Sequence, residues 1–288
     1  MKGVSERHQQ SIQRVCEYIQ QHLDEELSAE QLSEVAACSR FHFHRIFMAF
    51  MGLSTTRYIQ RVKLRRASFQ LAFEQQKIID IAIEAGFGSS EAFTRAFKSS
   101  FLQTPSQFRT QPDWQHWHSV LQLPMIAKED YIMDVKIVDF QPRNIAYLSH
   151  RGSPQRVLDS AAKFIAWRKQ TGLSPVASSE TYAVPYSDPN TVAPEDFRLD
   201  ICGTIQQSQI PDNEFGVIAG TLPGGRCAVA RHYGSHDHIG DTVYRLYREW
   251  LPQSGEELRD FPCYFHWLNF VHEVDESELM TDVYLPLK

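Results

Sequence analysis

The stretch GFGSSEAFTRAFKSSFLQTPSQFR, residues 86–109, decides the reading of this 288-residue chain. Phe93, Ala96, Phe97 and Phe101 fall at helical spacing, so one stripe of a helix faces a core. Ser89 or Ser90 stands ahead of it as a cap, and Pro105 marks its stop. Glu91, Arg95 and Lys98 occupy the other face. Immediately upstream, a short helix from Ile78 to Ala85 ends at Gly86, the residue that turns a chain most cheaply. Short helix, tight turn, Ser cap and a second helix with basic residues outward make a helix-turn-helix.

The same grammar occurs once before, over 28–51. Ser28 and Gln31 form a capping box, Leu32, Val35 and Ala36 are the apolar positions, and Ser39 caps a helix with Phe43, Ile46, Phe47 and Phe50 that stops at Gly52. A helix over 9–23 precedes it. A long helix from Ser54 to about residue 75 joins the two motifs. At about 1.5 Å per residue it spans roughly 30 Å, close to the ~34 Å between successive major grooves on one face of DNA. One chain can therefore read two adjacent grooves, so a monomer suffices for DNA, and self-association stays open.

The second helix of each motif enters the major groove. Base contacts are expected from Arg40, Phe41, His44 and Arg45 in the first copy, and from Ser90, Glu91 and Arg95 in the second. Arg pairs with guanine O6 and N7, Phe packs on a thymine methyl, and Glu accepts from cytosine N4. Phosphate contacts, which position without specifying, are expected from Arg61, Lys63, Arg66, Lys98 and Arg109, with Arg57 and Arg65 also available and Ser39 at a helix N-terminus that favours anions.

Charge is divided between two parts. Residues 1–112 hold 14 Lys/Arg and 11 Asp/Glu, whereas 113–288 hold 15 and 24, so a basic part precedes an acidic one within an overall net charge of −6. Texture changes at the same place. Helical periodicity gives way to alternating stretches at 133–138, 145–149, 198–205, 226–232 and 281–285, which read as strands. The chain is thus multidomain. An all-α double helix-turn-helix domain spans 1–112, a linker 113–130, and an α+β domain 131–288. The last contains a repeat. RNIAYLSHRG at 143–152 aligns with RCAVARHYG at 226–234, each a strand ending in His-x-Gly. Each is followed by a Trp-containing helix (Trp167, Trp250) and further strands. Two strand–helix–strand–strand copies imply a pseudo-twofold with a ligand cleft between them. Tyr147, Tyr182, Tyr233, Phe265 and Trp267 are expected to bind a small lipophilic or aromatic effector there, with Tyr186 and Tyr264 beside them.

Several classes are excluded or disfavoured. Five scattered cysteines, odd in number and without Cys-x-x-Cys, speak against a disulfide framework and a Cys-cluster zinc site. The polar start MKGVSERHQQ is no secretory signal, and no apolar run approaches the ~20 residues of a membrane span. A cytoplasmic protein is expected. His232, His236 and His238 match no zinc spacing, so no metal is expected. Without a Ser-His-Asp elbow or a phosphate-binding glycine loop, neither cofactor nor catalytic residue is expected.

Residues 28–109 closely resemble the DNA-binding domain of the AraC/XylS family of bacterial transcription regulators. The likeness runs through Leu32, Ala36, Ser39, Phe43, Arg45, Phe47, Gly52 and Tyr58, and again through Ile81, Gly86, Phe87, Phe93, Arg95, Phe97, Phe101, Pro105 and Arg109. Lys63 stands where Arg is common, Cys38 where a small residue is usual, and Ser90 and Glu91 where some relatives carry longer amides. Residues 133–288 resemble the GyrI-like ligand-binding domain, on FRLDICGTI (197–205), VPYSDP (184–189), GGRCAVARHYGSHDHIG (224–240), WLPQSGEELRD (250–260) and ELMTDVYLPL (278–287). The order of the two is that of the Rob-like arrangement.

That resemblance implies a regulator modulated by an amphipathic or cationic small molecule, with RNA polymerase as an expected partner. Where many relatives place a cleft Glu three residues after a proline, this chain has Phe265, so Glu180 or Asp200 would have to serve, or the ligand is neutral. Two alternatives are a hydrolase acting on electrophilic small molecules, since some stand-alone relatives are hydrolases, and a protein-interaction module without ligand.

Overall fold

A computed structural model describes residues 2–121, 133–271 and 273–288; of 2–6 and 41 it describes the backbone alone. The chain folds into two compact units, Met1–Tyr131 with Val271–Ser277, and Ile132–Phe270 with Glu278–Lys288. Among the described residues no helix is long and apolar enough to cross a membrane.

The first unit is helical. Helix α1 (Lys2–Gln21) precedes α2 (Ala29–Val35), whose capping box closes as Ser28 and Gln31 exchange bonds of 3.2 and 2.9 Å. Then follow α3 (Arg40–Met51), α4 (Thr55–Phe73), α5 (Ile78–Glu84), α6 (Ser90–Phe101), α7 (Pro105–Thr110) and α8 (Trp114–Leu121). The two helix-turn-helix copies, α2–α3 and α5–α6, share their turn bonds. Ala37 N–H donates to Glu34 O and Cys38 N–H to Ser33 O, as Gly86 does to Ile83 and Phe87 to Ala82. Ala37 and Gly86 both sit at positive φ (52° and 76°), so the first copy places a Cβ where the second uses glycine.

Each copy has its own core. Ile12, Val15, Leu32, Phe43, Phe47 and Tyr58 are buried in the first. In the second, Phe97 touches Phe93, Phe101 and Phe108, and Phe108 leads on to Trp114 and Trp117. That chain of rings corrects two expectations. Pro105 does not end a helix but opens α7, where its missing N–H costs nothing. The linker expected over 113–130 does not begin at 113. Trp114, Trp117 and Leu121 are each at most 2% exposed, and Trp117 donates to Ser68 Oγ at 2.7 Å. The remainder of that expected linker, 122–130, lies outside the described residues.

The second unit is one antiparallel eight-stranded sheet in the order β1-β6-β8-β7-β3-β4-β2-β5. Its strands are β1 (Val135–Phe140), β2 (Arg143–Arg151), β3 (Thr181–Pro185), β4 (Arg198–Thr204), β5 (Ile218–Leu222), β6 (Gly225–Tyr233), β7 (Tyr264–Trp267) and β8 (Met280–Pro286). Helix α9 (Val157–Thr171) follows β2. Helix α10 (Ile239–Arg245) follows β6 and continues through a π-helical turn, Leu246–Trp250. The expected repeat is present as β2-α9-β3-β4 and β6-α10-β7-β8. The sequence did not reveal how the edges are exchanged. β1 precedes β2 but pairs with β6, and β5 precedes β6 but pairs with β2, so each half borrows an edge strand that ties it to the other. Both His-x-Gly signatures end their strands on a glycine at positive φ, Gly152 at 115° and Gly234 at 97°. A Cβ at either would meet nothing within 4 Å, so conformation rather than space requires the glycine.

Alternation sorts the strand residues onto two faces. Helices α9 and α10 cover one, with Ala146, Leu148, Ile201 and Trp167 in one half and Ala183, Ala230, Val283 and Leu246 in the other. The opposite face carries Tyr182, Cys202, Cys227 and Tyr264, with Tyr147 and Tyr284 packed against them.

Candidate functional site

On α3 the core takes Phe43, Phe47 and Met51, which leaves Arg40, His42, His44 and Arg45 exposed. On α6 it takes Phe93, Phe97 and Phe101, which leaves Glu91, Arg95 and Lys98 exposed. Arg40, Arg45, Arg95 and Lys98 form no ion pair among the described residues, so each can meet a nucleic acid without first breaking a bond. Ser39 is the N-cap of α3 and its hydroxyl makes no cap bond. In α6 the cap is Ser89, which accepts from Ala92 N–H at 3.1 Å, and Ser90 is the first helical residue. Glu91 is held below its ordinary carboxyl value by its own backbone and Ser89, with Arg95 contributing, so it presents a charged acceptor. Phe41 lies on α3, but its side chain is outside the described residues.

The expected phosphate contacts divide. Arg61 and Lys63 are half-buried, and Lys63 Nζ lies against the turn at Gly86, where a Cβ would approach it to 2.8 Å. Three arginines are committed elsewhere. Arg109 donates to the carbonyls of Leu71 (3.4 Å) and Gln76 (2.6 Å), binding α7 to the end of α4. Arg66 pairs with Asp24 at 3.1 Å and Asp275 at 3.4 Å. Arg65 is 5% exposed, lies 4.8 Å from the Trp117 ring centroid and pairs with Glu276 at 2.7 Å. Arg65 and Arg109 therefore serve the fold, and Arg66 could reach a phosphate only by leaving two carboxylates. Helical periodicity reports that an arginine is off the apolar stripe, not which carbonyl or carboxylate it finds.

In the sheet domain, register places one straight row of side chains across the helix-free face. Arg231 opposes Asp282, Asp282 opposes His266, His266 opposes Tyr182, Tyr182 opposes Cys202, Cys202 opposes Tyr147, and Tyr147 opposes Ile218. Tyr182 stacks on His266 at 4.5 Å, and the adjacent Tyr264 on Tyr284 at 4.8 Å. Of the five expected effector residues, Tyr147, Tyr182 and Tyr233 belong to this face. Tyr147 is half-buried, Tyr182 is 1% exposed as core, and Tyr233 is 50% exposed at the end of β6. Phe265 and Trp267 do not belong to it. They alternate with Tyr264 and His266 and point to the helices, where Phe265 packs with Ala183, Leu246 and Val283, and Trp267 stacks on His236 at 5.5 Å. The missing carboxylate at 265 therefore has no bearing on the charge of the aromatic face.

That face holds three carboxylates, each with an arginine. Arg143 Nε donates to Glu180 at 2.8 Å, Arg198 to Asp200 at 2.9 Å, and Arg231 to Asp282 at 2.8 Å. Asp200 also accepts from Ser149 at 2.5 Å and Glu180 from Tyr182 at 3.0 Å. Burial alone would raise the Glu180 carboxyl, but the bonds from Arg143 and Tyr182 outweigh it and hold the group below its ordinary value. Burial lowers His266, against the pull of Glu180 and Asp282, and raises Tyr284 to about 12. Of these groups, sequence reasoning passed over Arg143, Arg231, His266, Asp282 and Tyr284. Strand geometry pairs Tyr264 with His266 and Phe265 with Trp267, but four rings in a row carry no hydropathy signal to say which pair faces the helices. A separate cavity of about 450 Å³ lies elsewhere, between the end of α9 (Trp167, Thr171, Leu173) and Asp212–Phe215.

Comparison with known proteins gives the following. The GyrI-like small molecule binding domain family matches residues 133–288, and a helix-turn-helix domain family matches 32–111. A probable transcriptional regulator of Escherichia coli K12, YgiV, is 53% identical over 155 residues, covering 54% of this chain and 96% of that protein. The right origin-binding protein of the same organism is 35% identical over 239 residues, 82% of each chain. The solved C-terminal domain of EcmrR aligns with a TM-score of 0.45 at 12% identity, over 55% of this chain and 99% of that one.

Proposed function

Because the chain belongs to the AraC-type helix-turn-helix transcription regulators that carry a GyrI-like small-molecule-binding domain, and is thereby a DNA-binding regulator, we propose that it reads duplex DNA through α3 and α6 and that a small organic molecule on the sheet domain's aromatic face modulates that binding. Arg40, Phe41, His44 and Arg45 read one major groove, and Ser90, Glu91 and Arg95 the next. Ser39, Arg61, Lys63 and Lys98 meet phosphates. The domains divide the work, with residues up to about 121 for DNA and those from about 133 for the effector.

The observation that carries the reading is the exposure, on the outer faces of two successive helix-turn-helix units, of Arg40, Arg45 and Arg95 free of ion pairs among the described residues. Arginines so placed suit bidentate contacts with guanine. The effector half rests on the aromatic row and its neighbours, half-buried at Tyr147 and exposed at Tyr186 and Tyr233. The chain acts as a sensor rather than an enzyme. Burial holds Cys202 well above its ordinary value, Glu180 is pinned as a weak base, and the hydroxyls that meet a histidine, Ser160 at His150 and Thr242 at His232, face rings whose other nitrogen is tied to a backbone carbonyl. RNA polymerase is the partner through which a bound regulator would act.

Selection of bound fragments from a promoter library, followed by gel shift at moderate salt, tests the reading. Retention of particular fragments over bulk competitor is expected, with a shift in affinity when the aromatic face is occupied. Binding that is weak and indifferent to sequence in both states overturns it.

A further inference from the structure

Seven residues of the connection between β7 and β8, Val271–Ser277, fold with the helical unit, whereas the strands on either side of them belong to the sheet unit. Asn269 closes the neck of this strap. Its side chain donates to the Glu278 carbonyl at 3.0 Å and accepts from Met280 N–H at 2.8 Å. Beyond the neck, two adjacent carboxylates meet two adjacent arginines of α4, Glu276 with Arg65 at 2.7 Å and Asp275 with Arg66 at 3.4 Å. Neighbours on a helix point about 100° apart, so the two arginines lead in two directions. Arg65 donates to the Leu121 carbonyl at 3.3 Å and lies over the Trp117 ring, whose contacts run through Trp114 and Phe108 to Phe97 in the second helix-turn-helix copy. Arg66 also pairs at 3.1 Å with Asp24, which lies between α1 and α2 of the first copy. Val271 and Val274 line one crevice with Leu23 and Val62 of the first core and with Phe69, which meets Trp117 edge-on.

From this arrangement, and resting on the two-groove reading above, we infer that Glu276 and Asp275 are positioning residues for DNA recognition. The docked strap fixes α4 against both cores and so sets the offset at which α3 and α6 meet the duplex. A carboxylate gains nothing from a phosphate, so the strap acts through the arginines it holds. Arg65 is 5% exposed, and a buried guanidinium deprived of its carboxylate must find another arrangement. Undocking therefore loosens the joint between the two copies, while the outer faces of α3 and α6 stay as they are. Each copy keeps its affinity for its own half-site, and what is lost is the preference for one spacing. Because β7 and β8 run directly into the strap, a shift of either strand on ligand binding is passed on through these two carboxylates.

DNA fragments selected by the wild type, remade with one base pair inserted between the two half-sites, test the inference, since the insertion turns one groove by about 35° against the other. Glu276→Gln is compared with Glu278→Gln, which removes an equal charge outside the strap. The wild type and Glu278→Gln are expected to prefer the selected spacing by about tenfold or more, and Glu276→Gln by no more than about threefold, with binding to a single half-site unchanged. A Glu276→Gln protein with the wild-type preference overturns the inference while the two-groove reading stands. A wild type indifferent to the insertion overturns both. Linkage adds a measurement on the wild type that needs no variant to fold, because DNA must favour the docked strap by the factor with which the strap favours DNA. Hydrogen exchange of the peptide covering 271–277 is expected to slow when the selected site is added and not when a single half-site is added. Equal exchange in the two cases overturns the inference.

Discussion

His150 and His232 make the same pair of hydrogen bonds in the two halves of the sheet domain. His150 Nδ1 meets Ser160 Oγ at 2.9 Å and its Nε2 meets the Ser153 carbonyl at 3.1 Å. His232 Nδ1 meets Thr242 Oγ1 at 2.8 Å and its Nε2 the Ser235 carbonyl at 3.0 Å. A carbonyl only accepts, so Nε2 carries the proton and Nδ1 takes the hydroxyl's. Each ring thereby pins the end of a strand to the helix that follows. The repeated His-x-Gly, legible in the sequence as a repeat, is a structural clamp rather than half of a metal site.

Loss of either clamp removes two hydrogen bonds and a buried ring, His150 being 5% and His232 7% exposed, and unties the strand end from its helix, although the Ser153 and Ser235 carbonyls keep the N–H groups of Arg156 and His238. His150→Ala and His232→Ala are each expected to lower stability by about 1–3 kcal/mol. The two sites share no partner, so the double variant should lose about the sum. Urea denaturation followed by tryptophan fluorescence measures this. A double variant no less stable than either single one would show that the two clamps are not independent supports.

Arg95 and Arg109 look alike in the sequence, both basic and both off the apolar stripe, yet Arg95 is exposed and Arg109 holds the carbonyls of Leu71 and Gln76. Arg95→Ala and Arg45→Ala should each cost about 1–3 kcal/mol of specific DNA binding and relax discrimination at one base pair. Arg109→Ala should lower thermal stability and leave the salt dependence of DNA binding unchanged, because no phosphate contact is lost. Affinity measured across a salt series separates the two outcomes.

Leu102 caps α6 in the left-handed region at φ 58° with 72% of its surface exposed, whereas Gly52 fills the equivalent place after α3 at φ 66°. Leu102→Gly removes a strained Cβ and forfeits little packing. It should stabilise the helical unit by about 0.5–1 kcal/mol, read as a higher thermal midpoint with unchanged DNA affinity. A lower midpoint would mean that Leu102 packs in solution.

How far the sequence could be read follows from what leaves a periodic trace. The two helix-turn-helix copies were legible because Phe43 and Phe47, like Phe93, Phe97 and Phe101, sit at helical spacing between turns made by few residue types. The strand–helix–strand–strand repeat was legible through His150-x-Gly152 and His232-x-Gly234. The exchange of β1 and β5 between halves was not, since pairing partners far apart in the chain leave no local mark. Nor was the face of Phe265. In the four-residue strand Tyr264–Trp267 every side chain is aromatic, so hydropathy does not alternate. That Arg65 and Arg109 bond within the fold was not legible either, because the partner of a guanidinium depends on which carbonyl or carboxylate folding brings to it.

His266 carries the pH dependence of the aromatic face. Burial places its folded-state pKa below the ordinary 6.5, with Glu180 and Asp282 pulling it upward and Arg143 and Arg231 downward. The unfolded chain therefore binds the proton more readily, so stability is complete above 6.5 and falls as pH drops through the folded value. His266→Gln removes the titrating group. Its thermal midpoint should be flatter than that of the wild type across the interval just below 6.5. Parallel profiles for the two proteins would assign the acid sensitivity to another group.

Phe265 and Tyr147 test the assignment of faces directly. Phe265 is 8% exposed among Ala183, Leu246 and Val283 under α10, so Phe265→Ala should open a cavity and cost about 3–5 kcal/mol. The stack of Tyr182 on His266 lies on the other side of the sheet, so binding of an aromatic dye to that face should not move. Tyr147 is half-buried at the open end of the row, opposite Cys202 and Ile218. Tyr147→Ala should cost less stability than Phe265→Ala, because less of its surface leaves water on folding. It should weaken aromatic probe binding by about tenfold, the loss of one ring contact made on a desolvated face. If Phe265→Ala changes aromatic dye binding at equal folded fraction while Tyr147→Ala does not, the ligand lies on the helix side and the aromatic face is only core.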